Sequence, residues 1–315
     1  TISLKDTSDN IVTRSGTILI EDDDDPTYTD HSLSSATTGD SFIVKIEAND
    51  NIEISSVYVN WSQGGGYSNV SMTKGGDGNW TYSIEVENSL IAITYSITVK
   101  DTSGNRVTGE MVTVSVSDND DPTFIDHTPS SATTGDPLTF KIEARDNIDI
   151  STVYVNWSQN SGYNNFSLTE VGDGNWTYIT TVNHDISSIS YTVVVKDTSG
   201  NTATGTTNSI TVIDNDDPTI TDHTTSSSTT GEEFTFKVEA HDNIGVSVVH
   251  VNWSQGGGFS NKSMVEGGDG NWSYTIIVKH TLSSISYTMV VEDKSDNIVT
   301  STSTVQVTDN DVPTF

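Results

Sequence analysis

The residues with most chemistry to offer are carboxylates, and they are gathered rather than spread. Four short phrases concentrate them: Glu21-Asp22-Asp23-Asp24-Asp25-Pro26, Asp118-Asn119-Asp120-Asp121-Pro122, Asp214-Asn215-Asp216-Asp217-Pro218 and Asp309-Asn310-Asp311-Val312-Pro313. These phrases hold 13 of the 44 acidic residues. Two other phrases recur. One is Glu47-Ala48-Asn49-Asp50-Asn51, with copies ending in Asp146-Asn147 and Asp242-Asn243. The other is Asp101-Thr102-Ser103-Gly104-Asn105, with copies at Asp197 to Asn201 and Asp293 to Asn297. Hard oxygens in a flexible set of about six to eight ligands suit Ca²⁺. The expected ligands are Asp22, Asp24, Asp25, Asp50, Asn51, Asp101 and Asn105 at the first cluster. They are Asp118, Asp120, Asp121, Asp146, Asn147, Asp197 and Asn201 at the second, and Asp214, Asp216, Asp217, Asp242, Asn243, Asp293 and Asn297 at the third. The competing reading is a solvated acidic hinge in a protein adapted to high salt. Acids of that origin would be scattered over surfaces, whereas these return at matching places.

Other chemistry is poorly supported. There is no Cys, so no disulfide, thiolate site or Cys nucleophile exists. Of the seven His, only His31, His127 and His223 recur, and none has a Ser, Cys or Glu partner at a repeated catalytic spacing. No Gly-X-Ser-X-Gly, P-loop or His-Glu-X-X-His is present. An enzyme is not expected, and no catalytic or cofactor-binding residue is assigned.

The 315 residues include 13 Lys and Arg against 44 Asp and Glu, a net charge of −31. That balance disfavours nucleic acid and anionic membranes and favours a cation. The low hydrophobic share, 32%, would fit a disordered polyanion. The 6 Trp, 11 Tyr and 8 Phe argue otherwise, because they return in register. No apolar run approaches the ~20 residues that span a bilayer, and no charged leader opens the chain.

What must position these carboxylates is a repeat. Trp61, Trp157 and Trp253 are 96 apart, as are Trp80, Trp176 and Trp272. Val-Asn-Trp-Ser-Gln returns at 59–63, 155–159 and 251–255, and Gly-Asp-Gly-Asn-Trp at 76–80, 172–176 and 268–272. The expected division is an incomplete unit over 1–25, full units over 26–121, 122–217 and 218–312, and the start of another at 313–315, a window on a longer array. Inside each unit the hydrophobic period is 2. Phe42, Val44, Ile46 and Ala48 alternate with polar neighbours, as do Val57, Val59 and Trp61, then Ile93, Tyr95, Ile97 and Val99. About seven short strands per unit predict an all-β chain of tandem antiparallel immunoglobulin-like β-sandwiches joined by short acidic linkers. The tryptophans are expected in the cores. Tyr95, Tyr191 and Tyr287 stand where a tyrosine corner would be. In such a sandwich the chain enters at the pole that also carries two acidic inter-strand loops, so linker and loops converge.

The phrase Asp118-Asn119-Asp120-Asp121-Pro122 resembles a shortened cadherin linker, although the usual Asp-Arg-Glu phrase is absent. The whole unit is more similar to bacterial and archaeal immunoglobulin-like surface repeats, through Thr37-Thr38-Gly39-Asp40, Val57-Tyr58-Val59-Asn60-Trp61 and Asp101 to Asn105. The resemblance implies an extracellular or cell-surface stalk, sheath, filament or adhesin. Nine Asn-X-Ser/Thr sites can carry N-linked glycans: Asn60, Asn69, Asn79, Asn156, Asn165, Asn175, Asn252, Asn261 and Asn271. The expected function is a Ca²⁺-rigidified, glycosylated rod, with an adhesin binding glycans or partner cells as the alternative. Calcium ions and other copies of the chain or neighbouring surface proteins are the expected partners.

Overall fold

A computed structural model describes residues 1–310 and 312. Asp311 and the expected opening of a further unit at 313–315, with Pro313, lie outside the described residues. The described chain is all β-strand and loop, and no helix is long and apolar enough to cross a membrane. It divides into two compact units. The first comprises residues 1–121, 146–149 and 197–201; the second comprises 122–145, 150–196 and the remainder from 202.

In the first unit, β1 (Ile2–Lys5) and β2 (Ile11–Arg14) form an antiparallel hairpin whose residues are all exposed. A sandwich follows, built from β3 (Thr27–Asp30), β4 (Ser35–Thr37), β5 (Ser41–Asn49), β6 (Ile54–Ser62), β7 (Ser68–Ser71), β8 (Thr73–Lys74), β9 (Trp80–Glu85), β10 (Ile93–Asp101), β11 (Arg106–Thr108) and β12 (Val112–Ser117). One sheet has the order β3-β5-β9-β8; the other has β4-β12-β10-β6-β7, with β11 beside β10. All pairings are antiparallel except β4 with β12, which run parallel in the register Ser35↔Ser115, Ala36↔Val116 and Thr37↔Ser117. A first strand shared between sheets, its second segment parallel to the last strand, defines an immunoglobulin-type sandwich.

Alternation explains the strands. Val44 and Ile46 of β5, Val57 and Val59 of β6, and Ile93 and Val99 of β10 are fully buried, facing one another between the sheets. Burying one such side chain contributes on the order of 2 kcal/mol. The second unit repeats the topology twice. Its sheets fill two separate cores, one around Phe140, Ile142, Val155 and Trp157, the other around Phe236, Val238, Val251 and Met289. Trp80, Trp157 and Trp176 are buried, and Trp61, Trp253 and Trp272 pack partly buried against the same cores.

Two local features hold the geometry. Gly174 has φ +74°, and a Cβ there would lie 2.7 Å from the Ala144 carbonyl oxygen, so the Gly-Asp-Gly-Asn turn requires glycine. The recurring tyrosine departs from the expected corner. Instead of bonding backbone nearby, Tyr95 donates its hydroxyl to Asp30 Oδ2 at 2.5 Å, Tyr191 to Asp126 at 2.7 Å and Tyr287 to Asp222 at 2.6 Å. Each bond crosses from one sheet to the first strand of the other. Burial and then the facing Asp push the Tyr191 hydroxyl up to about 12, and the same causes raise Tyr95 and Tyr287.

Candidate metal centre

Three groups of aspartates meet, each from three sequence phrases: Asp22, Asp50 and Asp101; Asp118, Asp146 and Asp197; Asp214, Asp242 and Asp293. Within each group one carboxylate oxygen per residue lies within 4.8 Å of the others. The first two groups lie inside the first unit, the third inside the second. The positions follow from the strands. Asp101 closes β10, Asp50 follows β5, and Asp22 precedes β3. The third member is always buried, at 1%, 1% and 0% exposure for Asp101, Asp197 and Asp293.

That buried member is fixed by its own loop. Asp197 Oδ1 accepts the Asn201 backbone N–H at 2.8 Å, as well as that of Gly200, and Oδ2 accepts Asn201 Nδ2 at 2.7 Å. Asp101 with Asn105 repeats this arrangement, and Asp293 with Asn297 does so with small changes. The same amides reach the linkers. Asn105 Nδ2 donates to the Asp22 carbonyl at 3.1 Å, Asn201 to that of Asp118 at 3.4 Å and Asn297 to that of Asp214 at 3.5 Å. These asparagines therefore act as donors that tie loop to linker.

The other expected ligands divide. Asp24, Asp120 and Asp216 accept amide N–H bonds from Asn51, Asn147 and Asn243 at 2.5–2.6 Å and stand outside the triads. Asp25, Asp121 and Asp217 are exposed beside the buried Pro26, Pro122 and Pro218, and also lie outside the triads.

Sequence reasoning missed one participant. Thr38, Thr134 and Thr230 are buried, and their hydroxyls donate to the next linker: Thr38 to Asp118 Oδ1 at 2.9 Å, Thr134 to Asp214 Oδ1 at 2.8 Å and Thr230 to Asp309 Oδ1 at 3.0 Å. Asn147 Nδ2 also donates to Thr38 Oγ1 at 3.1 Å, and Asn243 Nδ2 to Thr134 Oγ1 at 3.2 Å. The recurrence of Thr-Thr-Gly was the available signal.

Burial opposes ionisation of Asp118 and Asp214. Hydrogen bonds outweigh it, from the Thr38 hydroxyl and the Asp120 N–H in one case, and from the Thr134 hydroxyl and the Asp216 N–H in the other. Both carboxyls are held below the usual range, so they are anionic at neutral pH. Among the described residues none of the nine triad carboxylates pairs with Lys, Arg or His. Each cluster also leaves two oxygens buried with no donor: Asp22 Oδ2 and Asp50 Oδ1; Asp146 Oδ2 and Asn147 Oδ1; Asp214 Oδ2 and Asn243 Oδ1. Asp214 is only 9% exposed. A buried acceptor without a donor costs about 1–3 kcal/mol, and three times over the uncompensated groups are oxygens. Such a donor set fits a hard divalent cation.

The fold is that of tandem immunoglobulin-like β-sandwiches. No family model and no curated protein matches the chain. Solved structures do match it. A three-domain titin fragment covers 91% of this chain and 99% of its own, at 14% identity and a TM-score of 0.45. A tetra-tandem repeat from the extending region of a large adhesion protein covers 97% and 80%, at 17% identity and 0.42. A four-domain ectodomain fragment of ICAM-5 covers 91% and 78%, at 8% identity and 0.44.

Proposed function

We propose that this chain is part of an extracellular structural array, a cell-surface rod, stalk or filament, in which Ca²⁺ stiffens one immunoglobulin-like module against the next and glycans coat the surface. The observation that carries the reading is the thrice-repeated carboxylate triad, with its buried acceptor oxygens and no basic partner among the described residues. Each triad takes one carboxylate from a linker and two from loops of the following module. A cation shared by all three couples linker to loops; without it, like charges within 4.8 Å push them apart. Linker carbonyls and water would complete the coordination, as Ca²⁺ chemistry requires. Near-identical modules favour spacing and multivalency over one specialised binding face.

The test is a calcium titration by calorimetry, combined with thermal melts and small-angle scattering in calcium and in EDTA. Binding, a higher melting temperature in calcium and a more extended scattering profile are expected. Identical melts and profiles in both media would sink the calcium reading.

A further inference from the structure

Each module carries three Asn-X-Ser/Thr sites, and the fold treats the three differently in the same way each time. Asn60, Asn156 and Asn252 sit mid-sheet and half-buried. Their site hydroxyls are engaged by the following turn: Ser62 Oγ donates to the Gly65 carbonyl at 2.9 Å, Ser254 to that of Gly257 at 3.0 Å, and Ser158 to that of Ser161. Asn79, Asn175 and Asn271 use the side-chain nitrogen that would carry a sugar to close their own turn. Asn79 Nδ2 donates to Asp77 Oδ2 at 2.8 Å, Asn175 to the Gly172 carbonyl and Asn271 to the Gly268 carbonyl, both at 3.2 Å.

Asn69, Asn165 and Asn261 are exposed, as are the site residues Ser71, Ser167 and Ser263, although Ser71 Oγ donates to its neighbour Met72's carbonyl at 3.5 Å and Ser263 Oγ pairs with His250 Nδ1 at 3.3 Å. They lie on the strand at one end of the larger sheet: β7, Asn164–Ser167 and Ser260–Ser263. Each stands directly opposite the mid-sheet asparagine, in the pairs Asn60↔Asn69, Asn156↔Asn165 and Asn252↔Asn261. Cross-strand Cβ atoms are about 5 Å apart, which leaves no room for two branched sugar chains side by side.

Building on the glycan reading above, we propose that N-glycosylation is confined to the edge-strand set, Asn69, Asn165 and Asn261, one glycan per module. The donor is a lipid-phosphate-linked oligosaccharide. The Asn Nδ2–H proton is lost as nitrogen bonds to the anomeric carbon; the anomeric C–O bond breaks, and lipid phosphate departs with the electron pair and takes up the proton. The placement gives the sugar a physical task. An edge strand presents unpaired backbone groups that invite strand addition from another chain, and a glycan rooted there blocks the approach.

The experiment is secretion of the chain from an N-glycosylating host, followed by intact mass and peptide mapping. Glycan mass on Asn69, Asn165 and Asn261 alone is expected. Asn69→Gln, Asn165→Gln and Asn261→Gln together remove it all, whereas Asn60→Gln, Asn156→Gln and Asn252→Gln together leave it unchanged. Glycan on the mid-sheet or turn asparagines overturns the site assignment while the glycan reading stands. A wild-type mass equal to the bare 33.9 kDa polypeptide overturns both.

Discussion

Asp146→Asn separates a cation site from a mere turn by the sign of its effect. Asp146 Oδ1 accepts the Ile148 N–H at 2.9 Å, a bond that Asn retains, while Oδ2 is buried without a donor. The substitution removes the two repulsions of Asp146 with Asp118 and Asp197. At 4.8 Å each is worth about 0.9 kcal/mol at the dielectric of water and about 3.5 kcal/mol at an effective dielectric of 20. In EDTA the variant should therefore gain at least about 2 kcal/mol, or roughly 10 °C in melting temperature for a module of this size. In calcium the variant's advantage shrinks. The wild type gains about 2.7 kcal/mol when the ion stands at 100 times its dissociation constant, and a site reduced to two carboxylates loses most of that. The assay is paired calorimetric melts of both proteins in EDTA and in calcium. An Asp146→Asn melting temperature below wild type by the same amount in both media would refute the reasoning, because a hydrogen-bond role alone ignores the cation.

Three further outcomes follow from the geometry. Thr134→Val keeps the packing but takes a donor from buried Asp214, costing about 2 kcal/mol in denaturant unfolding; an unchanged midpoint would show that the hydroxyl is idle. Tyr191→Phe keeps the edge-on contact with Phe140 and deletes the bond to Asp126, with an expected loss of about 1–2 kcal/mol; a loss below about 0.5 kcal/mol would deny the inter-sheet clip. Asp118 and Asp214 have folded pKa values below the 3.8 of the free side chain, so their contribution is complete above about pH 4 and is lost as pH falls through the folded values. Circular dichroism against pH without calcium should thus hold steady down to about pH 4, and a transition already complete at pH 5 would contradict it.

The strands were legible because one face of each is apolar: Val57 and Val59 cannot face water without exposing the whole set. The meeting of Asp118, Asp146 and Asp197 was legible too, since topology alone brings a linker and two loops to one pole. Which linker carboxylate turns inward was not. The Asp120 N–H bonds Asp118 Oδ1 at 3.2 Å and the Asn147 amide captures Asp120, so Asp118 joins the triad and Asp120 does not. Such choices rest on backbone geometry within one turn, and three aspartates among four residues offer no pattern to read. Thr38 was hidden for another reason. Its partner Asp118 is 80 residues away, and a Thr before Gly-Asp looks like ordinary turn chemistry. Gln63 was hidden likewise; it is buried and clamps the Ser89 and Ile91 carbonyls across 26 and 28 residues.

The parallel pairing of β4 with β12 has a mechanical consequence. β4 lies near the point where the chain enters the module and β12 near the point where it leaves. Tension applied at the two ends therefore slides these strands past each other along their length. All three residue pairs of the patch are loaded together, and with them the flanking bond from the Thr38 N–H to the Ser117 carbonyl at 3.0 Å. An antiparallel hairpin pulled from its open end would instead unzip, its pairs breaking in succession. The same parallel patch recurs at 131–133 with 211–213 and at 227–229 with 306–308. Each sandwich thus meets a stretching force in shear, the direction in which a few backbone bonds resist best because none can fail before its neighbours.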